Sequence, residues 1–168
     1  YPHGASSKSD KCFDLHWANV FLAHEELRTP WWCILGNHDY MGNPAAQVGI
    51  SSTEGRFRKL WNMPDRNYSF AYTLDDAQQT RIVFHGLDTN GCQGHVRGSY
   101  PEQEGALHGN VEELSQKLRS NFVSEEGVAP WQVVFAHHPI HTGGRRHSRI
   151  AECLREHSYL HRGERTTG

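Results

Sequence analysis

Apolar positions recur along this chain with two different periods, and the switches between them mark its elements. In "SDKCFDLHWANVFLAHEEL", Phe13, Trp17, Val20, Phe21 and Leu27 fall at helical spacing behind Ser9 or Asp10, either of which suits an N-cap, and Pro30 ends the stretch. "PWWCIL", residues 30–35, is a nearly continuous apolar run between Pro30 and Gly36, the pattern of a strand buried on both faces. Short helices are predicted over "AAQVGISS" (45–52) and "GRFRKLW" (55–61). Alternation predicts a strand in "NYSFAYTL" (67–74), and "TRIVFHGLDT" (80–89) reads as another that ends on the polar pair Asp88 and Thr89. A glycine-rich loop follows over 90–109. Leu114, Leu118 and Phe122 then stripe an amphipathic helix over 110–122, and "WQVVFAHHP" (131–139) is a further buried strand that ends in polar residues. Strands and helices in alternation, with chemistry at the strand ends, predict an α/β fold.

In α/β sheets, ligands collect beyond the carboxyl ends of strands, where loops converge on a rigid support. Two such ends here carry metal-type side chains, "CILGNHD" and "VVFAHHP". Gly36 is expected to let the backbone turn sharply. Asn37 offers an amide oxygen and His137 an imidazole nitrogen, donors that suit a divalent cation of the Zn, Mn or Fe kind. Taken singly, each has a plainer reading, a turn asparagine and a capped histidine.

Composition narrows the field. Among 168 residues, 17 Lys and Arg stand against 19 Asp and Glu, a formal charge of −2, so nothing marks a nucleic-acid partner or an anionic membrane surface. Thirteen histidines are the one excess. No apolar run is long enough to span a bilayer. Cys12, Cys33, Cys92 and Cys153 have no CxxC spacing, which argues against a zinc ribbon and leaves one or two disulfides open. The five tryptophans are spread through the elements, as core residues are, rather than clustered with Lys or Arg as a base-stacking platform would be. "EHSYLHRGE" puts His157 and His161 at i and i+4 with no third ligand evident, and reads as a helix surface.

The ordered blocks "GNHD", "LDT" and "AHHP" resemble the calcineurin-like metallophosphoesterases. "YPHG", "PWWCILGNHDYMGNPAAQ", "RKLWNMP" and "AHHPIHTGG" are most similar to the tartrate-resistant type of purple acid phosphatase. The resemblance covers residues 1–155 and implies part of a two-sheet sandwich flanked by helices, an α/β/β/α domain incomplete at both ends; residues 156–168 form a divergent tail. It implies a phosphomonoester hydrolase with a dinuclear centre of Fe(III) and a divalent metal (Fe, Zn or Mn) and a metal-bound hydroxide as nucleophile. Tyr1 matches the tyrosinate ligand of the ferric ion, and Asn37 and His137 match ligands of the divalent one. His38 matches an imidazole that meets the phosphate and protonates the leaving alkoxide, with Asp39 fixing its tautomer. His147, beyond "HTGGRR", matches a second phosphate-contacting histidine in a loop about one residue longer here than in the family.

The same resemblance sets further expectations. The family's first aspartates lie upstream of Tyr1 and its closing "GHxH" block is absent downstream, so only three expected ligands, Tyr1, Asn37 and His137, are present. The expectation is a central fragment with little or no activity alone; a catalytically dead relative serving as a binding or regulatory module is the alternative. The substrate implied is a small phosphoester or a phosphoprotein, and the full-length enzyme is expected to be monomeric. Cys92 and Cys153 fall where the tartrate-resistant enzymes carry a disulfide, which together with the "NYS" sequon at Asn67 suggests a secreted, lysosomal or other endomembrane lumen.

Overall fold

The computed structural model describes residues 3–51, 57–75, 80–90 and 131–139. Its first helical stretch is capped by Asp10, whose Oδ1 accepts the Cys12 N–H at 2.9 Å while Oδ2 accepts the Ser6 N–H at 2.8 Å. Of the two candidate caps, Asp10 is the one used. The single long helix predicted over this region is instead broken into a π turn (Asp14–Ala18), α1 (Asn19–Phe21) and a 3-10 turn (Glu25–Leu27). Its periodicity holds only in the first half: Phe13 and Trp17 are buried, whereas Val20 is exposed.

Strand β1 is Trp31–Trp32 and pairs in parallel with β2, Trp61–Asn62. The Cys33 N–H still reaches the Asn62 carbonyl at 2.9 Å, and the chain then runs inward to a fully buried Leu35. Between the two strands lies α2, Pro44–Ser51. Asn43 opens it by accepting the Ala45 N–H at 3.1 Å, and Pro44 follows in the first helical position, where its missing N–H costs nothing. The helix predicted over 55–61 is corrected where it is described: residues 57–60 form a turn in which Lys59 takes a positive φ of 67°, and Trp61 leaves it as strand. Pairing with Trp31 outweighs the local helical pattern there.

The second sheet has the order β3–β4–β5, with β3 Tyr68–Asp75, β4 Thr80–Leu87 and β5 Trp131–Ala136. β3 and β4 are antiparallel, and β4 and β5 are parallel, Leu87 facing Ala136. The expectation that β5 is buried does not hold. It lies at the edge of the sheet as described, and Trp131 is 71% exposed. Aromatic side chains join the two sheets. Trp32 stacks on Phe70 with 3.7 Å between ring centroids, and the Tyr68 hydroxyl donates to the Cys33 carbonyl at 2.6 Å. The main core gathers Phe13, Trp17, Leu35, Ile50, Trp61 and Met63. No helix among the described residues is long and apolar enough to cross a membrane. The predicted helix 110–122, the loop 91–109 and the tail 156–168 lie outside the described residues.

Candidate metal centre

Beyond the end of β1 the chain makes a tight turn, continued by a 3-10 turn over Asp39–Met41. Asp39 braces it: one carboxylate oxygen accepts the Gly36 N–H at 2.7 Å and the other accepts the Gln47 side-chain amide of α2. Held this way, Asn37 and His38 face outward and are exposed.

The end of β5 supplies the opposing side chain. His137 Nε2 lies 3.2 Å from Asn37 Oδ1, so two residues a hundred positions apart meet at the adjoining ends of two sheets. Gly36 is what permits this approach. It does not take a positive φ, and a Cβ placed there would come within 3.0–3.2 Å of three atoms of the His137 ring. Its task is therefore clearance for an imidazole rather than the sharp turn expected from the sequence. Gly4 serves the turn from the other side: at φ 68° it passes so close that a Cβ would sit 2.6 Å from the Asp39 carbonyl.

Beneath these exposed groups lies a buried polar layer. The Tyr40 hydroxyl donates to Asp88, and Asp88 also accepts the Asn90 N–H at 3.0 Å and the Asn90 side-chain amide at 2.7 Å. Thr89 Oγ1 lies 2.7 Å from His138 Nδ1. Asn67 Oδ1 accepts the Asp88 N–H at 2.8 Å. Burial pushes the Asp88 carboxyl above the usual carboxylate range, against the lowering effect of the Tyr40 and Asn90 hydrogen bonds. Burial, reinforced by the Asp88 charge, likewise raises the Tyr40 hydroxyl well above its ordinary value.

Of the site residues expected from the sequence, the structure brings together Asn37 and His137 and places His38 and Asp39 beside them in one turn. Tyr1 and His147 lie outside the described residues, as do Cys92 and Cys153. Cys12 and Cys33 are free thiols. Sequence reasoning assigned no part to Tyr40, Gln47, Asn90 or His138. The signals were a second histidine in "AHHP" and a run of three polar residues, Asp88 to Asn90, closing an apolar strand. Asn67, the residue of the sequon, is buried, and its amide oxygen accepts the Asp88 N–H.

A model of the calcineurin-like phosphoesterase family matches residues 3–164. The chain belongs to the calcineurin-like phosphoesterases. Within that family it is 33% identical over 89 residues to tartrate-resistant acid phosphatase type 5 of Mus musculus, a match covering 53% of this chain and 26% of that protein. To purple acid phosphatase 4 of Arabidopsis thaliana it is 29% identical over 154 residues, covering 83% of this chain and 39% of that protein. The chain thus spans well under half the length of these relatives. The fold is similar to that of a solved structure described as GAP50, the anchor in the inner membrane complex of Plasmodium, with a TM-score of 0.60 at 17% identity, over 94% of this chain and 50% of that one. As a phosphoesterase segment, the chain carries the "GNHD" turn on β1 and the histidine pair on β5, and β4 runs between them in the chain with its end tied to both.

The donors present fit one part of a metal centre. An amide oxygen and an imidazole nitrogen converge, both exposed, and this mixed pair suits a borderline divalent cation. Two donors do not complete a four-coordinate shell, and among the described residues no group of three His, Cys, Asp or Glu side chains is placed to hold an ion. A complete shell would need further ligands from outside those residues.

Proposed function

We propose that this chain is the central portion of a metal-dependent phosphomonoester hydrolase of the acid phosphatase type. Its dinuclear centre pairs Fe(III) with a divalent Fe, Zn or Mn ion, to which Asn37 and His137 are donors. The observation that supports this reading most is the 3.2 Å approach of Asn37 Oδ1 and His137 Nε2 beyond two converging strand ends. When bound, such a centre supplies a nucleophile at mildly acidic pH and neutralises charge on the phosphoryl oxygens.

The chain's own residues do the rest. His38, exposed beside Asn37, contacts the phosphate and protonates the leaving alkoxide, and Asp39, the residue the resemblance gives for setting its tautomer, braces the turn that presents it. Tyr1 is the ferric ligand and His147 a second phosphate contact in this reading. The substrate is a small phosphoester or a phosphoprotein, and the complete enzyme is monomeric in a secreted, lysosomal or endomembrane lumen. That compartment is supported by likeness to acid phosphatases.

The test is hydrolysis of p-nitrophenyl phosphate at mildly acidic pH by the natural protein that carries this segment, with its metal content measured in parallel. Asn37→Ala is expected to lower metal content and activity together. His38→Ala is expected to keep the metal and lose on the order of 10²- to 10⁴-fold in kcat. A metal-loaded protein without phosphatase activity, or variants as active as the parent, would overturn the assignment.

A further inference from the structure

We infer that Asp88, Thr89 and Asn90 are positioning residues: three consecutive side chains that clasp the Asn37 loop to the His137 loop and so set the spacing of the two donors. The inference rests on the reading of Asn37 and His137 as donors to one ion. It begins from the register of the sheet. β4 and β5 run parallel with Leu87 opposite Ala136, and the same register carried two residues further sets Asp88 opposite His137 and Thr89 opposite His138. The Thr89–His138 contact at 2.7 Å is what that continuation predicts.

The three side chains divide between two targets. Asp88 and Asn90, two apart, both reach the loop after β1. Asp88 accepts from Tyr40, and the Asn90 amide donates to the Leu35 carbonyl at 3.4 Å as well as to Asp88. Thr89, between them, reaches the other way to His138. Leu35 and Tyr40 bracket Asn37 in the chain, and His138 adjoins His137. Each donor is thus exposed on a backbone whose neighbours are anchored to the same three residues.

Burial makes the clasp selective for this arrangement. Asp88 is 4% exposed, Thr89 3%, Asn90 1% and His138 3%, so each loop gives up a hydrogen bond that water cannot readily replace if it moves away. The chemistry at Asp88 is specific as well. One oxygen accepts from Tyr40 and the other accepts twice from Asn90, so all three partners donate. An amide in place of the carboxylate sets a donor against a donor on one side or the other, with little change of shape. At Thr89, serine keeps the hydroxyl and valine keeps the shape without it.

The experiment uses the natural protein that carries this segment and two readouts. Amide hydrogen exchange by NMR, without metal, follows residues 36–39 and 137–138. Mn²⁺ titration follows the donors. Asp88→Asn and Thr89→Val are expected to speed exchange in both loops by tenfold or more and to weaken Mn²⁺ binding at least tenfold, while Thr89→Ser restores both. Ser69→Ala, which removes a 2.8 Å contact to the buried His85 within the same sheet, is expected to change neither. Unchanged exchange at the two loops in Asp88→Asn and Thr89→Val overturns the clasp. So does acceleration spread evenly over β3–β5, which marks general loosening. Should the parent protein bind no Mn²⁺ while exchange responds as stated, the clasp stands and the donor reading fails.

Discussion

Two buried regions of this molecule hold it together by opposite means. Around β1, β2 and the first helical stretch the packing is aromatic: Trp61 meets Trp17 edge-on at 5.1 Å and Phe13 at 5.5 Å, and the indole N–H groups of Trp31 and Trp61 donate to backbone carbonyls. At the ends of β4 and β5 the buried polar side chains are Asp88, Thr89, Asn90 and His138, and hydrogen bonds link them. The aromatic region takes its stability from area removed from water, which tolerates small shifts. The polar region fixes relative position, because a hydrogen bond weakens as its distance and angle leave a narrow preferred range. The candidate donors project from the second region, as a site that must hold a spacing requires.

The contrast can be broken at its strongest point first. Trp61→Ala removes both edge contacts and the indole N–H that donates to the Gln47 carbonyl at 3.1 Å, and is expected to cost about 3–5 kcal/mol in urea denaturation. A cost below about 1 kcal/mol would mean the aromatic cluster is not the main core. Thr89→Val creates no cavity and leaves His138 Nδ1 without its hydroxyl partner, so about 1–3 kcal/mol is expected in the same measurement. Equal losses for the two variants would erase the distinction between the regions.

Gly36→Ala sharpens it further. The added methyl presses on the exposed His137 ring, which can yield, so a stability cost of about 1 kcal/mol should accompany a clear change in the His137 ring signals by NMR. Cys33, at the margin of the aromatic region, has its thiol pushed up to about 12, chiefly by burial. Iodoacetamide at pH 8 is expected to alkylate it on the order of 10³-fold more slowly than an ordinary thiol, and labelling at the ordinary rate would show that this margin opens.

Acid probes a smaller device. The Ser6 and Cys12 hydrogen bonds hold the Asp10 carboxyl well below the usual carboxylate range. The stability it contributes is present above the unfolded-state value of about 3.9 and is lost as pH falls through the lower folded value. Asp10→Asn should flatten the acid side of the stability profile. An unchanged profile would assign the acid sensitivity to other groups.

Much of this was legible in the sequence, for local reasons. Strand β3 shows itself by alternation, β4 as an apolar run that ends on polar residues, and the two donor positions by polar residues set directly after apolar runs. The helix predicted over 55–61 failed in its described part because Trp61 is claimed by Trp31, a partner thirty residues away that no local pattern shows. β5 was read as buried because its composition is apolar, yet composition does not tell a central strand from an edge. The part played by Gly36 depends on a ring a hundred residues distant. The clasp residues were visible only as polar ends to a strand, since their partners are fixed by the parallel register and not by spacing along the chain.

The central claim is that Asn37 and His137 act together on one ion. It is tested most directly by Mn²⁺ titration of the natural protein that carries this segment, following the free-ion signal by electron paramagnetic resonance, with Asn37→Ala/His137→Ala compared against changes at the exposed His3 and His24. The account predicts saturable binding at one equivalent that the double variant abolishes and the surface variants leave intact. Binding that survives the double variant, or that falls with His3→Ala or His24→Ala instead, would contradict it.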